Sequence, residues 1–162
     1  MTTPSLSLGI RLALYQPDIP QNTGTLMRLC ACLGVGLDVI EPCGFVLSDK
    51  NLRRAGMDYL DQLNWQRHAD WAAFKAQKSG RIIILSTQAS ENYTDFIFQN
   101  TDILLLGRES SGLPADVHDS ADARVIIPMQ PGMRSLNVAI AGAMVLGEAL
   151  RQTHASKALP QR

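Results

Sequence analysis

The stretch LLLGRESSGLP, Leu104 to Pro114, passes from an unbroken apolar run into glycine and charge within one residue. The run DILLLG (Asp102–Gly107) has no period-2 alternation, so both faces of the strand it predicts are covered. Such strands belong to parallel sheets held between helices. In these folds ligands bind at the carboxyl ends of the strands, where GRESSGLP lies. Glu109 follows the strand end almost at once, and a carboxylate there is costly unless something pairs with it.

The same pattern recurs on both sides of this run. RIIILS (Arg81–Ser86) and ARVIIP (Ala123–Pro128) predict two further buried strands, each leaving into an unusual loop, STQAS and PMQPGMRS. Upstream, IRLALY (Ile10–Tyr15) and VGLDVIE (Val35–Glu41) read as strands, and another is expected near Trp65. A helix is predicted over Thr23–Leu33, with Leu26, Leu29, Cys30 and Leu33 at helical spacing. A short basic helix, DKNLRRAG, follows a Ser48 or Asp49 cap and stops at Gly56. Asp70–Lys78 is helical with Trp71 and Phe74 inward, and a long last helix runs from a Ser135 cap to about Thr153. PDIPQN (Pro17–Asn22) is expected to be a loop, its prolines blocking regular structure. The result is a single α/β domain over residues 1–162, a mostly parallel sheet flanked by helices, with a frayed tail from about 154.

Composition sets the outer bounds. Of 162 residues, 46% are hydrophobic and 19% charged, which suits one globular domain with a core of its own. Fifteen basic side chains balance fifteen acidic ones. Any nucleic-acid surface must therefore come from local clustering or from a partner subunit. The first residues lack the pattern of a signal peptide. The longest uncharged apolar stretch, Leu136–Gly147, is too short for a bilayer, so no membrane association is expected. Cys30, Cys32 and Cys43 have no histidine near them in sequence; they read as buried reduced thiols with no metal, in a cytoplasmic protein.

Common site motifs are missing. The turn after the first strand is QPDIPQNTG, not G-x-G-x-x-G, and GRESSGL lacks the Gly-Lys-Ser/Thr of a P-loop. The loop is also not the G-x-S-x-G elbow, which argues against a hydrolase built on Ser110 or Ser111 with His118. Lys50, Arg53 and Arg54 form a basic patch, either a solvated face or a phosphate contact. Arg28 sits among apolar neighbours, LMRLC, which suggests a partly enclosed guanidinium. The last helix, SLNVAIAGAMVLGEAL, is apolar on nearly every side and so predicts burial in the core and at a subunit interface. Asn137 within it needs hydrogen-bond partners.

Three segments, in order, resemble the SPOUT class of RNA methyltransferases: NTGTLMR (Asn22–Arg28), LLLGRESSGLP, and IPMQPGMRSLNV with its small-residue helix. LYQPDIPQNTG and IEPCGFVLSDKNLRRAGMDY are similar to the minimal TrmL-type subfamily, the tRNA (cytidine/uridine-2'-O)-methyltransferases. One departure is Gly147, where relatives of this subtype often carry tyrosine.

The resemblance implies an α/β sheet with a C-terminal trefoil knot, and a homodimer formed through the C-terminal helix. It implies S-adenosyl-L-methionine as cofactor and transfer of its methyl to the ribose of the wobble nucleotide of tRNA, cytidine or modified uridine. The cofactor would be held by Leu85, Ser86, Gly107, Glu109, Ile127, Met129, Ser135 and Leu136. Arg28 would act in catalysis with Asn22, Ser135 and Asn137 in support, and Lys50, Arg53, Arg54 and Arg134 would bind RNA. A competing expectation is a catalytically inactive cofactor-binding RNA assembly factor or chaperone.

Overall fold

The computed structural model describes residues 9–54 and 59–153. Gly56 and the tail beyond 153 lie outside the described residues. Six strands, β1 (Arg11–Tyr15), β2 (Gly36–Ile40), β3 (Trp65–His68), β4 (Ile82–Leu85), β5 (Ile103–Leu106) and β6 (Ala123–Val125), form one sheet. Its order is β3-β2-β1-β5-β4-β6 and every pairing is parallel.

Alternate residues of each strand feed two cores. Leu12, Leu14, Leu37, Val39, Leu104 and Leu106 pack beneath α1 (Pro20–Leu33) and α5 (Val138–Thr153). Ala13, Tyr15, Ile40, Ile82, Ile84 and Leu105 face the other way, against Phe74 of α3 (Trp71–Gln77) and Val117 of α4 (Ala115–Asp119). Every residue of β5 is buried. The all-apolar run is therefore a strand covered on both faces, as its composition requires.

Local chemistry sets the helix ends. The expected Pro17–Asn22 loop is shorter than predicted: α1 begins at Pro20, because proline at the first turn gives up no needed N–H. The buried face of α1 is Thr23, Leu26, Met27 and Cys30, and Leu33 is exposed at its end. Ser48 Oγ accepts the Asn51 N–H and so caps α2 (Asp49–Arg54). Asp70 Oδ1 accepts the Ala73 N–H at the start of α3.

The single chain corrects the cap of the last helix and accounts for only one of its faces. Ser135 does not cap it; Asn137 does, its Oδ1 receiving N–H groups from Ala139 (2.9 Å) and Ile140 (3.3 Å). Nor is the helix buried all round in the single chain. Ala139, Gly142, Val145, Leu146 and Ala149 face inward, while Ile140 is 55% and Met144 39% exposed. Gly142 sits so close to the core that a Cβ there would meet Leu106 Cδ1 at 2.8 Å and Leu26 Cδ2 at 3.1 Å.

The cysteines also divide. Cys30 is buried, Cys43 half-buried and Cys32 exposed, so the thiols are not all interior. Burial pushes the Cys30 thiol up to about 12, and burial with the nearby Glu41 charge pushes Cys43 up to about 11. Neither forms a thiolate nucleophile at neutral pH. Among the described residues no cluster of histidine, cysteine, aspartate and glutamate is placed to hold a metal, and no helix is long and apolar enough to cross a membrane.

Candidate functional site

The strand order reverses direction between β1 and β5, and the loops leaving β4, β5 and β6 meet on one side of that point. They enclose a cleft of about 810 Å³. Ser86, Thr87 and Gln88 come from the first loop, Gly107 to Glu109 from the second, and Ile127 and Met129 from the third. Ser135, Leu136 and Asn137 close it from the segment leading into α5, and Asn22 from α1.

The second loop is a tight hairpin. Arg108 and Gly112 exchange N–H···O bonds of 3.2 and 2.9 Å. Gly112 adopts φ +66°, and a Cβ on Gly107 would come within 2.9 Å of the Gly112 carbonyl carbon. Only glycine at both places lets the strand end fold back on itself this closely. The guanidinium of Arg108 lies over the Tyr15 ring, 5.4 Å from its centroid, and Arg108 Nη2 donates to Gln16 Oε1.

The partner that Glu109 needs is Asp18. Asp18 N–H donates to Glu109 Oε2 (3.0 Å), Glu109 N–H donates to Asp18 Oδ1 (3.2 Å), and Ser110 Oγ donates to Asp18 Oδ2. Asn22 Nδ2 reaches Glu109 Oε1 at 3.4 Å. Two carboxyl groups this close titrate against each other. Burial, then the neighbouring Asp18 carboxyl, raises Glu109. Hydrogen bonds from Glu109 and Ser110 push Asp18 down to about 2. The pair is thus pushed apart, Glu109 upward and Asp18 downward.

From Glu109 the chain of contacts continues through Asn22 to Asn137, whose Nδ2 donates to Asn22 Oδ1 at 3.0 Å. A third set lies on the opposite wall. His118 Nε2 is 3.1 Å from Ser86 Oγ, and Arg124 Nε donates to His118 Nδ1 at 3.2 Å. His118 is therefore engaged with Ser86, and Ser110 is tied to Asp18. The pairing that a serine hydrolase on Ser110 would need is not made.

Residues 9–147 match the profile of the SpoU rRNA Methylase family. The chain belongs to this family. It is 64% identical over 147 residues to the tRNA (cytidine(34)-2'-O)-methyltransferase of Beijerinckia indica, covering 89% of this chain and 92% of that protein. It is 42% identical to the enzyme of the same name from Escherichia coli K12, covering 88% and 93%. The fold superposes on a solved structure described as giving structural insights into the 2-OH methylation of C/U34 on tRNA, with TM-score 0.82, 38% identity and coverage of 90% and 97%. It also superposes on the SpoU methyltransferase AviRb of Streptomyces viridochromogenes in complex with AdoMet (TM-score 0.78, 27% identity, 95% of this chain and 64% of that one).

As a SpoU family member, the chain places the expected cofactor residues together. Leu85, Ser86, Gly107, Glu109, Ile127, Met129, Ser135 and Leu136 all line the cleft. The cleft fits S-adenosylmethionine. Its volume lies within the roughly 300–1,000 Å³ of small-molecule sites. Leu85, Leu113 and Ile127 give apolar walls for a flat base, and Glu109 gives an acid beside them for a cationic centre.

The expected catalytic set divides. Asn22, Ser135 and Asn137 line the cleft, but Arg28 does not. The Arg28 guanidinium is exposed rather than partly enclosed, and stacks 5.3 Å from the Tyr59 ring centroid. Lys50, Arg53, Arg54 and Arg134 are exposed and do not line the cleft, Arg134 lying directly before Ser135 of its wall; Arg53 pairs with Asp61 at 2.8 Å. Sequence reasoning missed Asp18, His118 and Arg124 as site residues. Asp18 carried one signal, an acid in the loop at the carboxyl end of β1.

Proposed function

We propose that this enzyme transfers the methyl group of S-adenosylmethionine to the ribose 2'-hydroxyl of nucleotide 34 of tRNA. The observation that carries the reading is the cleft at the strand ends, with every expected cofactor residue on its walls, in a chain 64% identical to a tRNA (cytidine(34)-2'-O)-methyltransferase. Bound S-adenosylmethionine supplies an electrophilic methyl on a sulfonium; the chain's own residues do the rest.

The adenine lies in the apolar slot of Leu85, Leu113 and Ile127, and Gly107 lets the backbone approach it. Glu109 faces the cationic end, where a positive charge favours its ionised form. Asn22 and Asn137 hold the end of α5 against this wall, and Ser135 and Leu136 complete it. The planar guanidinium fork of Arg28 suits a phosphate, so it holds a substrate phosphate and orients the ribose. Its exposure on α1 leaves it open to a macromolecule. Lys50, Arg53, Arg54 and Arg134 extend that contact along the RNA.

The enzyme works as a homodimer through α5, and two subunits pool their basic residues. Ile140, Met144 and Gly147 support this: they form one exposed apolar stripe at helical spacing, and nothing in the chain lies within 4 Å of a Cβ placed on Gly147. The C-terminal trefoil knot and a cytoplasmic location, where tRNA is found, complete the reading.

The test is incubation with labelled S-adenosylmethionine and bulk tRNA, followed by mapping of the methylated nucleotide. Transfer to the 2'-oxygen of nucleotide 34, lost in Arg28→Ala with cofactor affinity intact, is expected. Cofactor binding with no transfer would favour an inactive assembly factor. Full transfer by Arg28→Ala would remove that residue from catalysis.

A further inference from the structure

Ser86 lies in the cleft with its hydrogen-bonding capacity nearly used up. A serine hydroxyl has two lone pairs and one proton. One lone pair receives the Gln88 N–H at 3.1 Å. The other side of the oxygen meets His118 Nε2 at 3.1 Å, and the direction of that bond depends on which imidazole nitrogen carries the proton.

Arg124 decides it. Its Nε–H points at His118 Nδ1 across 3.2 Å, and its Nη2 donates to the His118 carbonyl at 2.7 Å. A guanidinium only donates and stays charged. His118 Nδ1 must therefore be the bare, accepting nitrogen, and the proton sits on Nε2. Nε2–H then donates to Ser86 Oγ. Both lone pairs of Ser86 are taken, and its own proton is left to point elsewhere. Ser86 and His118 both line the cleft.

We infer that His118 is a positioning residue for the cofactor, fixing the Ser86 hydroxyl as an obligatory donor to an acceptor atom on the adenosine half of the ligand. The inference rests on the reading of the cleft as the S-adenosylmethionine site. It commits to the adenosine half because Ser86 follows Leu85 directly, beside the apolar slot of Leu113 and Ile127. Adenosine offers ring nitrogens and ribose oxygens as acceptors. A ligand presenting only a donor to Ser86 is refused, because the oxygen has no lone pair left.

Isothermal titration with S-adenosylhomocysteine and with 5'-methylthioadenosine, which keeps only the adenosine half, tests this. Ser86→Ala and His118→Leu should each weaken both ligands by about tenfold, the worth of one neutral hydrogen bond. The double variant should lose no more than Ser86→Ala alone. His118→Gln, whose amide nitrogen replaces Nε2–H, should recover most of the loss. Nitrogen-15 imidazole spectra of the wild type should show the proton on Nε2. A proton on Nδ1, or unchanged affinity in His118→Leu, overturns the inference. A penalty seen with S-adenosylhomocysteine but not with 5'-methylthioadenosine overturns the placement on adenosine. A wild type that binds neither ligand overturns the cofactor-site reading and this inference with it.

Discussion

Asn137 Nδ2 donates to Asn22 Oδ1 over 3.0 Å, while Asn137 Oδ1 receives the first free N–H groups of α5. One side chain thus caps a helix and ties it to α1 across 115 positions of sequence. Asn137→Ala removes both roles. Loss of the cap costs about 1 kcal/mol, and the bond to Asn22 adds about 0.5–1.5 kcal/mol. Calorimetry should show a melting point several degrees lower. Asn137→Asp keeps the cap but cannot donate, and should fall between the two.

The pair of Asp18 and Glu109 links stability to pH. Glu109 is raised in the fold by burial and by the Asp18 carboxyl; Asn22 and Ser110 are the other polar groups on the pair. A carboxyl whose folded pKa lies above its unfolded value, about 4.3, costs the fold stability as pH rises from that value through the folded one. Glu109→Gln does not titrate. Its stability relative to wild type should therefore improve as pH rises above about 4.3 in urea titrations. A constant difference as pH rises would contradict the raised Glu109. Asp18 acts at the other end: pushed to about 2, it contributes stability above its ordinary value of about 3.9, lost as pH falls toward 2.

Gly142 and Gly147 lie five residues apart on α5, on different faces, and should respond oppositely to a larger side chain. At Gly142 a Cβ meets Leu106 and Leu26, so Gly142→Val overpacks and costs about 1–3 kcal/mol. At Gly147 the space within the chain is open, and Gly147→Ala gains up to about 1 kcal/mol of helix propensity. Chemical denaturation of the two variants checks both signs.

Asp38 is buried and holds two partners, Arg11 at 2.7 Å and His68 at 2.8 Å. Asp38→Ala leaves His68 without its side-chain partner and Arg11 with only the Leu37 carbonyl. A loss of about 3–5 kcal/mol is expected, as for other broken buried pairs. Asp38→Asn, which retains an acceptor oxygen, should lose less.

Much of this was readable from residue order, for physical reasons. Runs such as IIIL and ILLL can only be strands covered on both faces, and the rule that ligands bind at their carboxyl ends picked out all three cleft loops. What escaped depended on pairings far apart in the chain. Asp18 meets Glu109 across 91 positions and His118 meets Ser86 across 32, and no local pattern encodes either. Helix α4 spans only Ala115–Asp119, too short for a periodicity to register. The last helix is legible only in part. An apolar surface says that something covers it, not whether the cover is the same chain, and here Ile140 and Met144 face away from the core.

The walls of the cleft are drawn from the late part of the chain. All six strands are complete by Val125, yet Ile127, Met129, Ser135, Leu136 and Asn137 come afterwards, and Asn22 waits for the last of them. During synthesis the sheet's residues are therefore available before the cleft's third wall. A chain halted at residue 125 has the sheet and two of the three loops but not the third wall, and Asn22 keeps Glu109 while lacking Asn137. Competence to hold cofactor waits on residues 127–137, after the sheet's own residues.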